Sequence, residues 1–84
     1  MPDLAKEQSD LDKAERDIRE GEERITHQSR LIAELRRDGH DTVEAEKLLW
    51  TLQQALDTWK AHRDTIRRLL VHSQKRAHER SGGA

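Results

Sequence analysis

The stretch Asp38-Gly39-His40-Asp41-Thr42 decides the fold, because it is the one interior place where the chain carries both a helix-stop and a helix-start signal. Gly39 suits the left-handed backbone that ends many helices, and Arg36 and Arg37 in the turn before it suit the negative end of a helix dipole. Asp41 is placed to cap a second helix through its carboxylate, with Glu44 reaching back from three residues on as a capping box; Thr42 is a rival cap one position later. Either choice leaves a connection of about three to five residues, which joins antiparallel neighbours and is too short to send the second helix away. His40 falls at the tip of this hinge, where it is a candidate contact.

Upstream, Leu4, Leu11, Ile18, Ile25 and Ile32 recur at every seventh position. Three residues beyond each stand Glu7, Ala14, Gly21, Gln28 and Leu35, so the second row of the same stripe is small or polar until the hinge. This spacing predicts one amphipathic helix over about 4–37, with a stripe thin enough for a single neighbour to cover.

Downstream, Ala45, Leu49, Leu52, Leu56, Trp59, Arg63, Ile66, Leu70, Ser73 and Ala77 alternate in steps of four and three, predicting a helix over about 42–79. Leu48, Ala55, His62 and Leu69 flank that row on one side, with Trp50 and Val71 on the other. The apolar face is therefore broader than that of the first helix and calls for more than one neighbour. Leu48, Leu49, Leu52, Leu56, Trp59, Ile66, Leu69 and Leu70 are the residues expected to serve self-association. Residues 80–84 carry no periodic content and are expected to form a flexible tail.

Folding the chain back over a hinge at 38–41 pairs residues whose numbers add to about 80. Ile32 then lies near Leu49, Ile25 near Leu56, Ala14 near Ile66 and Leu11 near Leu70, while Gly21 falls opposite Trp59. A glycine inside a helix costs about 1 kcal/mol relative to alanine, and a facing indole gives a reason to keep it. Charge agrees with this pairing. Residues 1–23 hold four Lys/Arg against nine Asp/Glu, a net of −5, and residues 60–84 hold seven against two, a net of +5. Antiparallel packing sets the two segments side by side, with Asp17 the expected partner of Arg63.

Composition bounds the function. The chain has 84 residues, 39% charged and 32% hydrophobic, which fits a single helical-hairpin domain and sits near the lower limit for folding alone. Two such hairpins packing their second helices into a four-helix bundle would complete the burial, so a homodimer is expected. Absence of cysteine excludes a disulfide framework, a thiol nucleophile and Cys-based zinc sites. No apolar run approaches the roughly 18 residues of a membrane span, and the acidic start lacks the pattern of a signal peptide, so no membrane association and a cytoplasmic location are expected.

The five histidines, at 27, 40, 62, 72 and 78, never recur at a spacing of three or four, so no helix face offers a histidine pair to a metal. Glu23 and His27 stand one turn apart without further carboxylate partners. Neither a glycine-rich phosphate loop nor a Gly-x-Ser-x-Gly elbow is present. No cofactor, metal or catalytic residue is assigned. His72-Ser-Gln-Lys75 resembles the His-x-x-Lys core of histidine-phosphotransfer helices but places Arg76 where that family has a small residue. Arg67, Arg68, Lys75 and Arg76 form a basic end able to contact nucleic acid, opposed by the acidic first helix and lacking interleaved aromatic residues.

Glu20-Gly21-Glu22, Arg24-Ile25, Gln28 and Leu31-Ile32-Ala33-Glu34-Leu35, followed by Asp38-Gly39-His40-Asp41-Thr42, Ala45, Leu48-Leu49 and Leu52, resemble a group of short, uncharacterised bacterial helical-hairpin proteins of proteobacterial type. The resemblance covers about residues 11–72 and implies an all-α hairpin in the cytoplasm, with no activity to transfer. The sequence thus leads to an antiparallel two-helix hairpin that self-associates and works as a protein-interaction module, with a small nucleic-acid-associated regulator as the alternative.

Overall fold

The computed structural model describes residues 4–82, with side chains described as far as Arg76. Helix α1 spans Leu4–Arg37 and helix α2 spans Val43–Gly82, and these are the only elements among the described residues. The first helix has the bounds its periodicity predicts. The second runs three residues beyond its predicted end near 79, so Arg80, Ser81 and Gly82 are helical where a tail was expected. No proline follows Glu79, and the first residue that disfavours a helix is Gly82 itself. Gly83 and Ala84, the rest of that expected tail, lie outside the described residues.

Gly39 has φ +77°, the left-handed conformation that its position requires. Its N–H donates to the Arg36 carbonyl at 3.1 Å, and the His40 N–H donates to the Leu35 carbonyl at 2.8 Å. These two bonds make the Schellman arrangement, which satisfies carbonyls that the helix end would otherwise leave unpaired. A side chain at Gly39 would meet nothing within 4 Å, so the glycine is needed for its backbone and not for space. An L-residue holds that conformation at a cost of about 1–2 kcal/mol.

Helix α2 is started jointly. The Asp41 carboxylate accepts the Val43 N–H at 3.0 Å, and the Thr42 carbonyl accepts the first helical bond, from Glu46 N–H at 2.8 Å. Thr42 is thus the cap position, and the third helical residue is Ala45. Glu44, one place too early for a capping box, pairs with Lys47 at 3.3 Å instead of reaching back to Asp41.

The hairpin measures 71 × 16 × 15 Å, a rod with a single seam. Ile18 and Ile32 of α1 and Leu56, Ile66 and Leu70 of α2 are buried in it, and Leu11, Ile25, Leu35, Leu49 and Leu52 are half-buried. All belong to the heptad rows read from the sequence. Gly21 is buried against α2: a Cβ built on it would lie 3.1 Å from Trp59 Cζ3 and 3.4 Å from Leu56 Cδ1. The indole therefore leaves room at position 21 for little more than a methyl group, and this contact restricts the sliding register of one helix on the other.

The two edges of the seam differ. Along one, Arg67 pairs with Glu15 at 3.0 Å and Arg36 with Glu46. The residue numbers add to 82 in both pairs, and the same register brings the positions of Glu22 and Lys60 and of Ser29 and Gln53 to common levels. Two exposed cross-helix ion pairs thus lie along this edge. The other edge carries Asp17, Arg24 and Leu31 of α1 on the side of the row of Leu48, Ala55, His62 and Leu69 on α2, and no cross-helix ion pair lies along it among the described residues.

Arg63 departs from expectation. Its side chain is 22% exposed, and its guanidinium pairs with Asp64 at 3.1 Å and not with Asp17. Arg63 lies in the inner row that leans toward the ion-paired edge, whereas Asp17 belongs to the opposite edge, so equal level along the rod does not bring them together.

Substituting Gly21→Leu is expected to lower unfolding free energy by about 1–3 kcal/mol through overpacking against the indole. Gly21→Ala should stay near the parent, because a helix-propensity gain of about 1 kcal/mol offsets the tight contact. Urea or thermal unfolding measures both; a leucine variant as stable as the parent would show that the Trp59 contact does not restrict position 21.

Candidate functional site

The groups that remain available once the hairpin has closed are the candidates for function. Of the eight residues expected to serve self-association, Leu56, Ile66 and Leu70 are buried against α1, and Leu49 and Leu52 are half-buried. These five face α1, where the pairing across the hinge already places Leu49, Leu56, Ile66 and Leu70. Leu48, Leu69 and Trp59 stay 49%, 52% and 38% exposed, and Leu31 across the same edge is 38% exposed. Trp59 is thus both the residue that packs on Gly21 and part of the open edge.

A shallow groove runs along this edge, lined by Glu20, Glu23, Arg24, His27, Leu48 and Leu52, with Gln28 at its floor. Gln28 is buried, and its Nε2 donates to the Ala45 carbonyl at 2.9 Å. This cross-helix bond was not foreseen; the signal for it was a glutamine in an inner row, between Gly21 and Leu35. Its position beside the hinge end lets it fix how the first turns of α2 sit against α1, a register role attested for single polar groups in helical seams.

A second exposed apolar row, Val43, Trp50 and Val71, lies on the outer face of α2. Asp57 and Asp64 interrupt it at the intervening seventh positions, so it offers isolated side chains and no continuous stripe. The hinge tip, Asp38 to Asp41, is exposed, and Thr42 is half-buried.

The basic end is only partly free. Arg67 is held by Glu15, and Arg68 Nε donates to the Asp64 carbonyl at 3.4 Å, while Lys75 and Arg76 are exposed. Arg67, Arg68, Val71, His72 and Lys75 line one shallow depression. Arg80, which the sequence places in the same basic end, has no described side chain.

Among the described residues, no three His, Asp or Glu side chains gather where a metal ion would bind. Glu23 and His27 share the wall of the groove and of a second depression with Arg19, Glu22, Thr26 and Arg30, an open charged surface. Neither helix is long and apolar enough to cross a membrane.

Fold and surface together define the class: an all-α antiparallel helical hairpin with cross-helix ion pairs along one edge and Leu31, Leu48, Trp59 and Leu69 exposed among charged side chains along the other. No protein-family model, curated protein or solved structure matches the chain.

Removing the buried amide by Gln28→Ala is expected to lower stability by about 1–2 kcal/mol, through the lost hydrogen bond and the space left beside Ala45. Urea unfolding measures it, and a change of only a few tenths would show that the bond does not hold the hinge end together.

Proposed function

We propose that this protein is a non-enzymatic helical interaction module that self-associates as a homodimer, its coiled-coil-like hairpins pairing into a four-helix bundle. The remaining surface, chiefly Trp50 and the hinge tip at His40, then serves a protein partner. The observation that carries this reading is the exposure of Leu48, Trp59 and Leu69 on one edge of a hairpin whose own seam is already filled. Apolar side chains left open along one edge of a small, highly charged rod favour a surface that another helix covers. The resemblance to short bacterial hairpin proteins supports a bacterial, cytoplasmic module and adds no activity.

A second reading, a small nucleic-acid-associated regulator, draws on the depression formed by Arg67, Arg68, Val71, His72 and Lys75. The Glu15 carboxylate on Arg67 and the absence of stacking aromatics weigh against it. Hydrodynamic mass at micromolar concentration is expected to be twice the 9.8 kDa chain, and passage over immobilised DNA is expected to be independent of salt. A stable monomer would contradict the first reading; retention that salt abolishes would favour the second.

A further inference from the structure

We propose that the second copy docks antiparallel, α2 against α2, on a charge-free strip between residues 48 and 69, with the two-fold axis passing between Thr58 and Trp59. This rests on the self-association reading above and specifies its surface and geometry.

From Glu46 to Leu69, α2 carries eight charged residues: Glu46, Lys47, Asp57, Lys60, Arg63, Asp64, Arg67 and Arg68. None falls on the three adjacent rows that make up the open edge. The inner of these rows holds Leu52, Trp59 and Ile66, and the middle holds Leu48, Ala55, His62 and Leu69. The outer holds Thr51, Thr58 and Thr65, whose hydroxyls each donate to the carbonyl four residues back, at 3.1 Å in all three cases. With their hydroxyls bonded to their own helix, these threonines need no partner from water or from another chain, and the row behaves as a low-polarity surface. The strip is about 32 Å long at 1.5 Å per residue, in a chain where well over a third of residues are charged.

What lies on and beyond the strip selects a second copy, and selects its direction. Antiparallel pairing with residue numbers adding to 117 sets Leu48 against Leu69 and Ala55 against His62, so the small residue faces the imidazole. It also brings Glu44, just before the strip, to the level of His72 and Arg76 of the second copy, just after it, twice by symmetry. Glu44 is free to respond, because its contact with Lys47 is made between side chains 88% and 69% exposed and is weak. Parallel pairing would instead oppose Glu44 to Glu44, Arg76 to Arg76 and Ala55 to Ala55, giving like charges at both ends and a gap between.

The test uses the intact chain. Thr58 is exposed and its hydroxyl bonds only to the Gln54 carbonyl of its own helix, so Thr58→Glu should keep the parent helicity by circular dichroism while placing two carboxylates at the axis. Sedimentation should then find the parent and Trp50→Glu, on the outer face, as dimers and Thr58→Glu as a monomer at the same concentration. Because the chain lacks cysteine, Leu48→Cys and Leu69→Cys chains mixed under oxidation should link to each other and not to themselves. A Thr58→Glu dimer would overturn the strip while leaving self-association standing. Self-linking of Leu48→Cys alone would overturn the antiparallel direction, and a monomeric parent would overturn both this proposal and the reading beneath it.

Discussion

The reversal at Gly39 is the constraint on which every other contact depends. A left-handed residue closed by two backbone bonds to Leu35 and Arg36 ends α1 within one turn, and Thr42 starts α2 within four residues of it. A connection that short leaves the second helix only one direction and little freedom to slide. What freedom remains is removed at three levels along the rod: Gln28 on the Ala45 carbonyl near the hinge, Gly21 against Trp59 near the middle, and Glu15 with Arg67 toward the open end. The first is a buried hydrogen bond, the second a packing fit and the third a surface ion pair. Burial leads us to expect the exposed pair to contribute least to stability.

The same register gives the rod its two unlike edges. Arg36 with Glu46 and Arg67 with Glu15 lie along one side, where opposite charges of the two helices meet. The other side leaves Leu31, Leu48, Trp59 and Leu69 exposed. A hairpin whose only purpose was to fold would gain from charged pairs on both edges. Function is therefore sought on the edge that lacks them.

Much of this fold was legible in the sequence because heptad spacing and turn chemistry are local signals. The seventh-residue repeat from Leu4 to Ile32 fixed which face of α1 turns inward, and Asp38-Gly39-His40-Asp41-Thr42 fixed where the chain reverses. Even Gly21 opposite Trp59 followed from adding residue numbers across that hinge. Side-chain choices were less legible, since they depend on lateral offset as well as level. Arg63 and Asp17 share a level but occupy opposite edges, so Arg63 pairs with Asp64. Glu44 missed its capping box because the cap proved to be Thr42. The candidate site was less readable for a related reason: the spacing separates the seam row of Leu56 from the flanking row of Leu48, but how far each flanking side chain stays exposed depends on what α1 sets beside it.

The central claim is that α1 and α2 lie side by side in one chain, and it is tested most directly by the distance between spin labels on cysteines introduced at the exposed positions Gln8 and Gln74, with labelled chain diluted in unlabelled chain. Helices packed at an interaxial separation of about 8–10 Å place the two labels roughly 20 Å apart or less. One unbroken helix through residue 39 would separate them by about 100 Å at 1.5 Å per residue. A narrow distribution at the short distance is the expected result; the loss of any short-distance population in the diluted sample would contradict the hairpin.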